Sequence, residues 1–455
     1  MTQPTIAAIA TPPGPGAVSM VRLSGPEAIS VAAKIFRPNS GKLESLEGYR
    51  GMLGKVYEED NNPVDEVIAF LYRAPKSYTG EDLVELCCHG GGYPAGVILR
   101  LCLKSGAVPA GPGEFTKRAF LNGKMDLTAA EAVMDLVGAQ GKTAMRAALA
   151  AKEGALGGRV KEIADGLTGW SAQIAAWCDY PEEDLIPVDS QALAAALKRL
   201  SDQTRQLLAG YDRGKMLRQG VRVAILGRPN VGKSTLMNLL TGQDTSIVTQ
   251  NPGTTRDLVS EQISIAGLAV TLLDTAGIRR TDDPAEAQGV ERSIAQLARA
   301  QLILAVFDAS QPLDEDDRRL ISQLTGKNAI TIANKSDLPS KLDEKEIAAH
   351  LSGPVYISAA TGQGRAELEE AVLAALHLKE IDPAAALVAN ERQRLCLADA
   401  QSALEEAIQA LESGFTLDAV GVCLDFALTH LLTLTGERAT EAVVDRVFAE
   451  FCVGK

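Results

Sequence analysis

The sequence has little of what metal and redox chemistry usually requires. Only four histidines occur in 455 residues. Its seven cysteines (87, 88, 102, 178, 396, 423 and 452) form an odd, scattered set, and adjacent Cys87 and Cys88 lack metal-ligand spacing. A reducing cytoplasm therefore suits the chain better than an oxidising compartment. No Lys/Arg-rich run is present and the net charge is −13. That excludes a protein gripping nucleic acid by its own charge, so a nucleic-acid substrate would be held with help from a partner. The first charged residue is Arg22, but a signal peptide needs a basic n-region, and Pro4, Pro12, Pro13 and Pro15 interrupt any apolar helix there. No later segment reads as long and apolar enough to span a membrane, so a soluble, cytoplasmic protein is expected.

What remains is an ordinary globular balance, 46% hydrophobic and 23% charged. The length implies two to four domains. The most informative stretch is Gly227-Arg228-Pro229-Asn230-Val231-Gly232-Lys233-Ser234-Thr235. It lies between the apolar run Val221 to Leu226 and Leu236-Met237-Asn238-Leu239-Leu240, which is strand, glycine-rich turn and helix start. Glycines let successive N–H groups point at phosphate oxygens, and the helix N-terminus adds its positive end. Lys233 would reach the β- and γ-phosphates, and the Ser234 hydroxyl would face Mg²⁺.

Four further signals follow in order. The polar loop Thr249-Gln250-Asn251-Pro252-Gly253-Thr254-Thr255 supplies a threonine, Thr255, to complete the Mg²⁺ shell. The strand Val270 to Leu273 runs into Asp274-Thr275-Ala276-Gly277, an aspartate for a water-mediated metal contact and a glycine whose N–H can meet the γ-phosphate. Ile330 to Ala333 leads into Asn334-Lys335-Ser336-Asp337. Asp337 can accept the N1–H and 2-amino protons of guanine, which adenine cannot offer. Val355 to Ile357, followed by Ser358-Ala359-Ala360, places a strand and loop under the base. Alternating strands and helices with ligand loops at strand carboxyl ends make a doubly wound α/β GTPase.

Around this core the chain changes character. Residues 1–120 read as mixed α and β, with strands over Thr5 to Ala10, Ala17 to Leu23, Val67 to Tyr72 and Leu83 to Cys88, and a helix over Tyr93 to Leu103. From Gly113 to Tyr180 there is no proline. Thr128-Ala129-Ala130-Glu131 reads as a capping box, and Trp170 and Trp177 as helix-packing core. Further helices are expected over Gln191 to Gly210, Ala366 to Leu376, Glu391 to Glu412 and Leu417 to Leu434. Val443, Val444, Val447, Phe448 and Phe451 form an apolar stripe. The economical reading is one helical domain, 121–217 with 380–455, into which a GTPase domain, 218–379, is inserted.

Several motifs outside the GTPase resemble the MnmE (TrmE) family of tRNA modification GTPases, and the resemblance covers the whole length. They are Thr11-Pro12-Pro13-Gly14 with Arg22, Gly80-Glu81-Asp82-Leu83-Val84-Glu85, Pro112 to Asn122, and Phe451-Cys452-Val453-Gly454-Lys455. The resemblance implies an α+β N-terminal folate-binding and dimerisation domain, a helical domain and a Ras-like P-loop GTPase. It implies a homodimer that works with a flavoprotein, MnmG, in a heterotetramer. The pair installs a carboxymethylaminomethyl-type group at C5 of the wobble uridine of certain tRNAs; the acidic balance of this chain suggests that the tRNA is held mainly with the partner. The one-carbon unit comes from tetrahydrofolate, 5-formyl or 5,10-methylene. Matching folate positions are Arg22, Glu85, Lys124 and Lys455, each of which from the residues alone reads as an ordinary exposed charge.

The resemblance also implies a K⁺ ion held by Asn230, Thr249, Asn251 and Thr254, offsetting transition-state charge as an arginine finger would. Ile278 stands where some GTPases carry a water-orienting glutamine. By resemblance Glu286 orients the attacking water, although beside Asp282 and Asp283 it reads equally as a solvated carboxylate. Ala287-Gln288 departs from the family's usual basic–apolar pair. Cys452 is the one thiol inside a family motif and is not assigned a catalytic role. The competing reading is a ribosome-assembly GTPase, which would carry a basic RNA-binding module or a second GTPase domain; neither is visible. A switch requiring an external activating protein is disfavoured by Asn230 and the polar loop.

Overall fold

The computed structural model describes residues 3–179, 187–241, 261–273 and 300–455. The chain divides into two compact units: Met1–Met134 with Gly157–Leu197 and Ser402–Lys455, and Asp135–Leu156 with Lys198–Gln401.

The first unit contains a seven-stranded sheet of β1 (Ile6–Ile9), β2 (Val18–Ser24), β3 (Phe36–Pro38), β4 (Arg50–Tyr57), β5 (Pro63–Tyr72), β6 (Leu83–His89) and β7 (Val108–Pro109), in the order β3-β4-β5-β6-β2-β1-β7. All pairings are antiparallel except β1 with β7. Helix α1 (Ala28–Ile35) buries Ala28, Val31, Ala32 and Ile35, one face at helical spacing. Helix α2 (Gly92–Lys104) contributes Ala95, Val97, Ile98, Leu101 and Cys102 to the same core as Val21, Leu23, Val67, Ala69, Val84 and Leu86. Strand alternation sends every second residue to that core, while Leu53 and Ile68 stay exposed.

The C-terminal stripe closes a second cluster in this unit. Val444, Phe448 and Phe451 pack with Leu127, Ala130 and Val133, with Val443 and Val447 at its margin. The Phe448 ring centroid lies 5.0 Å from that of Phe451 and 6.4 Å from that of Phe120. The helix over Leu417–Thr435 buries Val420, Leu424, Ala427, Leu428, Leu431 and Leu434 along one face. At 19 residues it is also apolar enough to cross a membrane by length and composition. That corrects the expectation that no segment passes this test. It buries one face only, and Val422 and Phe426 on the other are 55% and 59% exposed.

The second unit holds a six-stranded sheet of β8 (Val221–Leu226), β9 (Glu261–Ile265), β10 (Leu268–Leu273), β11 (Leu302–Asp308), β12 (Ala329–Asn334) and β13 (Val355–Ile357), in the order β13-β12-β11-β8-β10-β9. All pairings are parallel except β9 with β10. Every residue of β11 is buried, as a central parallel strand covered on both faces should be. Nearby helices end or begin within a residue or two of expectation: Ser190–Ala209, Arg365–Ala375 and Glu391–Glu412.

Two local expectations change. Asp126, not Thr128, caps the helix Leu127–Gly138: its Oδ1 accepts the Ala129 N–H at 2.7 Å and the Thr128 hydroxyl at 2.7 Å. The three-residue offset from Asp126 to Ala129 is the geometry an N-cap needs. Trp177 is 37% exposed rather than core. The helix Lys142–Lys152 lies in the second unit, where the Thr143 N–H donates to the Gly267 carbonyl at 3.2 Å. Gly267, at φ 78°, follows Ala266 at φ 52° in the β9–β10 turn, the left-handed pair that a two-residue hairpin favours.

Phe448→Ala should remove a fully enclosed ring and cost about 3–5 kcal/mol of stability. Calorimetry should show a lower and broader transition, and an unchanged Tm would contradict this packing.

Candidate functional site

The phosphate-binding loop joins β8 to the helix Lys233–Thr241. Its geometry explains its residues. Gly227 has φ 155° and Gly232 φ 96°, and side chains there would meet the Val306 carbonyl at 2.3 Å and the Asn334 Nδ2 at 2.2 Å. Only glycine lets the loop lie so close to β11 and β12. Asn230, with φ 64°, is left-handed without being glycine. Val231 is buried, whereas Asn230, Ser234 and Thr235 are exposed at the mouth of the loop and the first helical turn.

Asn334 fixes this loop to the base-side loops, and Asp308 anchors Lys335 within them. The Asn334 Nδ2 donates to the Val231 carbonyl at 2.8 Å, and its Oδ1 accepts the Ala359 N–H at 3.0 Å. One carboxamide therefore ties the phosphate loop to the segment Ser358-Ala359-Ala360. Lys335, at φ 64°, donates to Asp308 Oδ2 at 2.6 Å. Burial alone would raise the Asp308 pKa, but hydrogen bonds from Lys335 and Ser310 outweigh it and hold the carboxyl below its ordinary range. The Ser336 N–H donates to the Ile357 carbonyl at 3.2 Å, leaving Asp337 exposed at the loop tip. Lys233 donates to the Gly227 and Arg228 carbonyls, both at 2.7 Å. Burial depresses its pKa.

The described residues thus bring together Asn230, Val231, Gly232, Lys233, Ser234, Thr235, Asn334, Lys335, Ser336, Asp337, Ser358, Ala359 and Ala360 along the carboxyl edge of the parallel strands. Thr249, Gln250, Asn251, Pro252, Gly253, Thr254, Thr255, Asp274, Thr275, Ala276, Gly277 and Glu286 lie outside the described residues. Ser234 offers a hydroxyl suited to Mg²⁺ and Asn230 a side-chain oxygen suited to K⁺; their other expected ligands lie outside the described residues.

A second cluster forms in the first unit. Arg22 on β2 and Glu85 on β6 are register partners. The Arg22 Nε donates to Glu85 Oε1 at 2.9 Å, and its second terminal nitrogen lies 2.8 Å from the same oxygen. The remaining nitrogen donates to the Gly454 carbonyl at 3.2 Å. The guanidinium carbon stands 5.8 Å from the Tyr78 ring centroid and 5.6 Å from that of Phe115, within cation–π range. The tail is held by backbone: Val453 bridges Pro112, the Gly113 N–H donates to the Cys452 carbonyl at 3.3 Å, and the Phe115 N–H to the Lys455 carbonyl at 3.1 Å. Gly454 has φ 95°, and a side chain there would stand 2.5 Å from the Ile9 carbonyl.

Arg22, Glu85 and the Gly454-Lys455 backbone therefore meet. Lys124 does not join them; its ammonium donates to the Pro75 carbonyl at 3.1 Å. Sequence reasoning missed Tyr78 and the bond from Tyr72 to Glu85 Oε2 at 3.4 Å. Phe115 lay inside a quoted motif without a role.

Comparison with known proteins decides the family. The TrmE N-terminus model (GTP-binding protein TrmE) matches residues 5–124, and the MnmE helical domain model matches residues 127–452. The chain belongs to the MnmE family of tRNA modification GTPases. It is 41% identical over 455 residues to the tRNA modification GTPase MnmE of Thermotoga petrophila, covering 99% of this chain and 100% of that one. The MnmE of Synechococcus sp. (strain JA-3-3Ab) is 44% identical over 453 residues, covering 99% and 98%. That of Geobacter sulfurreducens is 41% identical over 454 residues, covering 99% of each. Full-length similarity to MnmE proteins sets aside the ribosome-assembly reading.

Asn334→Ala should break both of its bonds and lower guanine-nucleotide affinity by roughly tenfold or more, since each buried bond is worth about 1 kcal/mol and its partners stay buried. Fluorescent-GDP titration checks this. Undiminished affinity would mean the carboxamide does not organise the site.

Proposed function

We propose that this MnmE-family GTPase hydrolyses GTP while supporting installation of a carboxymethylaminomethyl-type group at C5 of the tRNA wobble uridine. The reading includes a homodimer, a flavoprotein partner (MnmG) in a heterotetramer, and tetrahydrofolate as one-carbon donor. The observation that carries it beyond GTP hydrolysis is the Arg22–Glu85–Gly454 cluster. A plain nucleotide switch has no need of an Arg–Glu pair set over the Tyr78 and Phe115 rings and tied to the Gly454 carbonyl.

The donor set fits a folate. Glu85, paired with Arg22, offers a carboxylate to an amino-pyrimidine edge, and Lys455 brings a cation for a glutamate carboxylate. Lys124 stands apart, so its role in that set depends on a reach the described contacts do not require. Bound tetrahydrofolate would supply a one-carbon unit; this chain's residues would orient it and seal the tail over it.

In the nucleotide site, Lys233 would exchange its two loop carbonyls for β- and γ-phosphate oxygens, a change favoured because its ammonium is partly desolvated. Ser234 with Thr255 would hold Mg²⁺, and Asn230 with Thr249, Asn251 and Thr254 would hold K⁺. Glu286 would orient the attacking water. Asp337 would accept from guanine.

Asp337→Asn should weaken GTP binding and shift preference toward xanthine nucleotides; equal use of ATP and GTP by the unaltered protein would sink the base assignment. Mass spectrometry of wobble nucleosides from cells lacking the protein should show the C5 substituent missing and restored by the native gene. A full complement of modified uridine in those cells would overturn the proposal.

A further inference from the structure

The phosphate loop is anchored at both ends, by backbone packing at Gly227 and by the Asn334 side chain at Val231 and Gly232. Gly227 is pressed against the Val306 carbonyl, and Val231 and Gly232 against Asn334. Between these anchors lies Asn230, whose left-handed backbone an ordinary residue keeps only when its surroundings over-determine it. Lys233 supports this middle section through the Gly227 and Arg228 carbonyls. In the reading above, that ammonium leaves for phosphate when nucleotide binds. For the middle section, Arg228 is then the side-chain anchor that stays, while Asn334 holds the Val231 end.

Its partners are unusually fixed. Asp314 caps the helix Glu315–Leu324, its Oδ1 accepting the Asp317 N–H at 2.9 Å, while Asp317 Oδ2 accepts the Asp314 N–H at 3.3 Å. This reciprocal box leaves Asp314 Oδ2 to accept from the Arg228 guanidinium at 2.7 Å. Asp317 Oδ2 lies 3.2 Å from the Arg228 Nε, an ion-pair contact without hydrogen-bond alignment. Gln311 Oε1 accepts a third contact at 3.2 Å. Asp317 is 1% exposed. Its burial raises its pKa, and the Arg228 charge opposes that rise. A guanidinium so committed is not free to approach the γ-phosphate as an arginine finger.

We propose that Arg228 is a positioning residue for hydrolysis: clamped by Asp314 and Asp317, it holds the loop in the shape that presents Asn230. This rests on the reading of Asn230 as a K⁺ ligand and goes beyond it by naming what keeps that ligand in place. A purely structural ion pair would instead affect stability and nucleotide binding together.

The test compares the full-length native protein with Arg228→Gln, Arg228→Lys and Asp314→Asn. GTP turnover is measured against KCl, with NaCl holding ionic strength constant. GDP affinity and hydrogen exchange of the peptide covering 227–232 in nucleotide-free protein are measured alongside. Arg228→Gln should lower kcat by about tenfold or more, with GDP affinity kept within about threefold, because small misplacements of a reacting group act mainly on the transition state. It should also raise the KCl needed for half-maximal turnover and speed exchange across 227–232. Arg228→Lys should recover only part of this, since an ammonium cannot bridge two carboxylates as a planar fork does. Asp314→Asn should be intermediate, because asparagine caps a helix as well as aspartate does and only the charge to Arg228 is lost. Native kcat and native exchange in Arg228→Gln would overturn the clamp, as would parallel loss of kcat, GDP affinity and Tm. Should native turnover ignore the choice of K⁺ or Na⁺, the ion assignment of Asn230 falls, and the kcat and exchange comparisons still decide the clamp.

Discussion

The Arg22 guanidinium joins segments that are hundreds of residues apart in sequence. It spends one edge on Glu85 of the neighbouring strand and another nitrogen on the Gly454 carbonyl, over the faces of Tyr78 and Phe115. The side chains of Arg22 and Glu85 are largely buried, at 17% and 13% exposure, so neither charge would be tolerated there without the other. The tail is accordingly shaped to fit. Gly454 takes a backbone angle and a closeness to Ile9 that no side chain permits. The backbone of Cys452 and Lys455 then satisfies the N–H groups of Gly113 and Phe115 at the start of the helix Glu114–Leu121. That helix in turn carries Arg118, buried against Glu81 and Glu114. The first unit thus organises one polar site from its two chain ends.

The nucleotide unit uses the same device differently. There a neutral carboxamide, Asn334, links phosphate loop to base loop, and a charged clamp at Arg228 secures the span between. In both places glycine permits close approach and a buried polar side chain then fixes it. Neutral Asn334 suits a loop facing phosphate, where an added anion would repel the ligand. Charged Arg228 suits the loop's outer side, where Asp314 and Asp317 compensate it.

Much of this was legible in the sequence because backbone requirements leave strong marks. Glycines at 227 and 232, a strand before them and a helix after, admit few structures, and the parallel strands β8, β11 and β12 read as apolar runs. The residues quoted for the resemblance include three of those that meet at the tail: Arg22, Glu85 and Gly454. Tertiary partnerships left no such mark. Asp126 out-competed Thr128 as a cap through side-chain geometry that a pattern of residue types does not resolve. Nothing in an alanine-rich helix announced that Lys142–Lys152 would dock on the β9–β10 turn. Arg228 was quoted in the loop without a role, because its partners Asp314 and Asp317 lie more than eighty residues downstream. Lys124 was grouped with Arg22 by resemblance, and its contact with Pro75 depends on a fold the motif alone does not specify.

The central claim is that the tail and Arg22 together build a folate site independent of the nucleotide site. Titration calorimetry of 5-formyltetrahydrofolate against native protein and Gly454→Val tests it most directly, with a GTP analogue as the internal control. The account predicts folate affinity reduced by roughly tenfold or more, the equivalent of losing one charge-assisted contact, and unchanged affinity for the GTP analogue. Native folate affinity in Gly454→Val would contradict it.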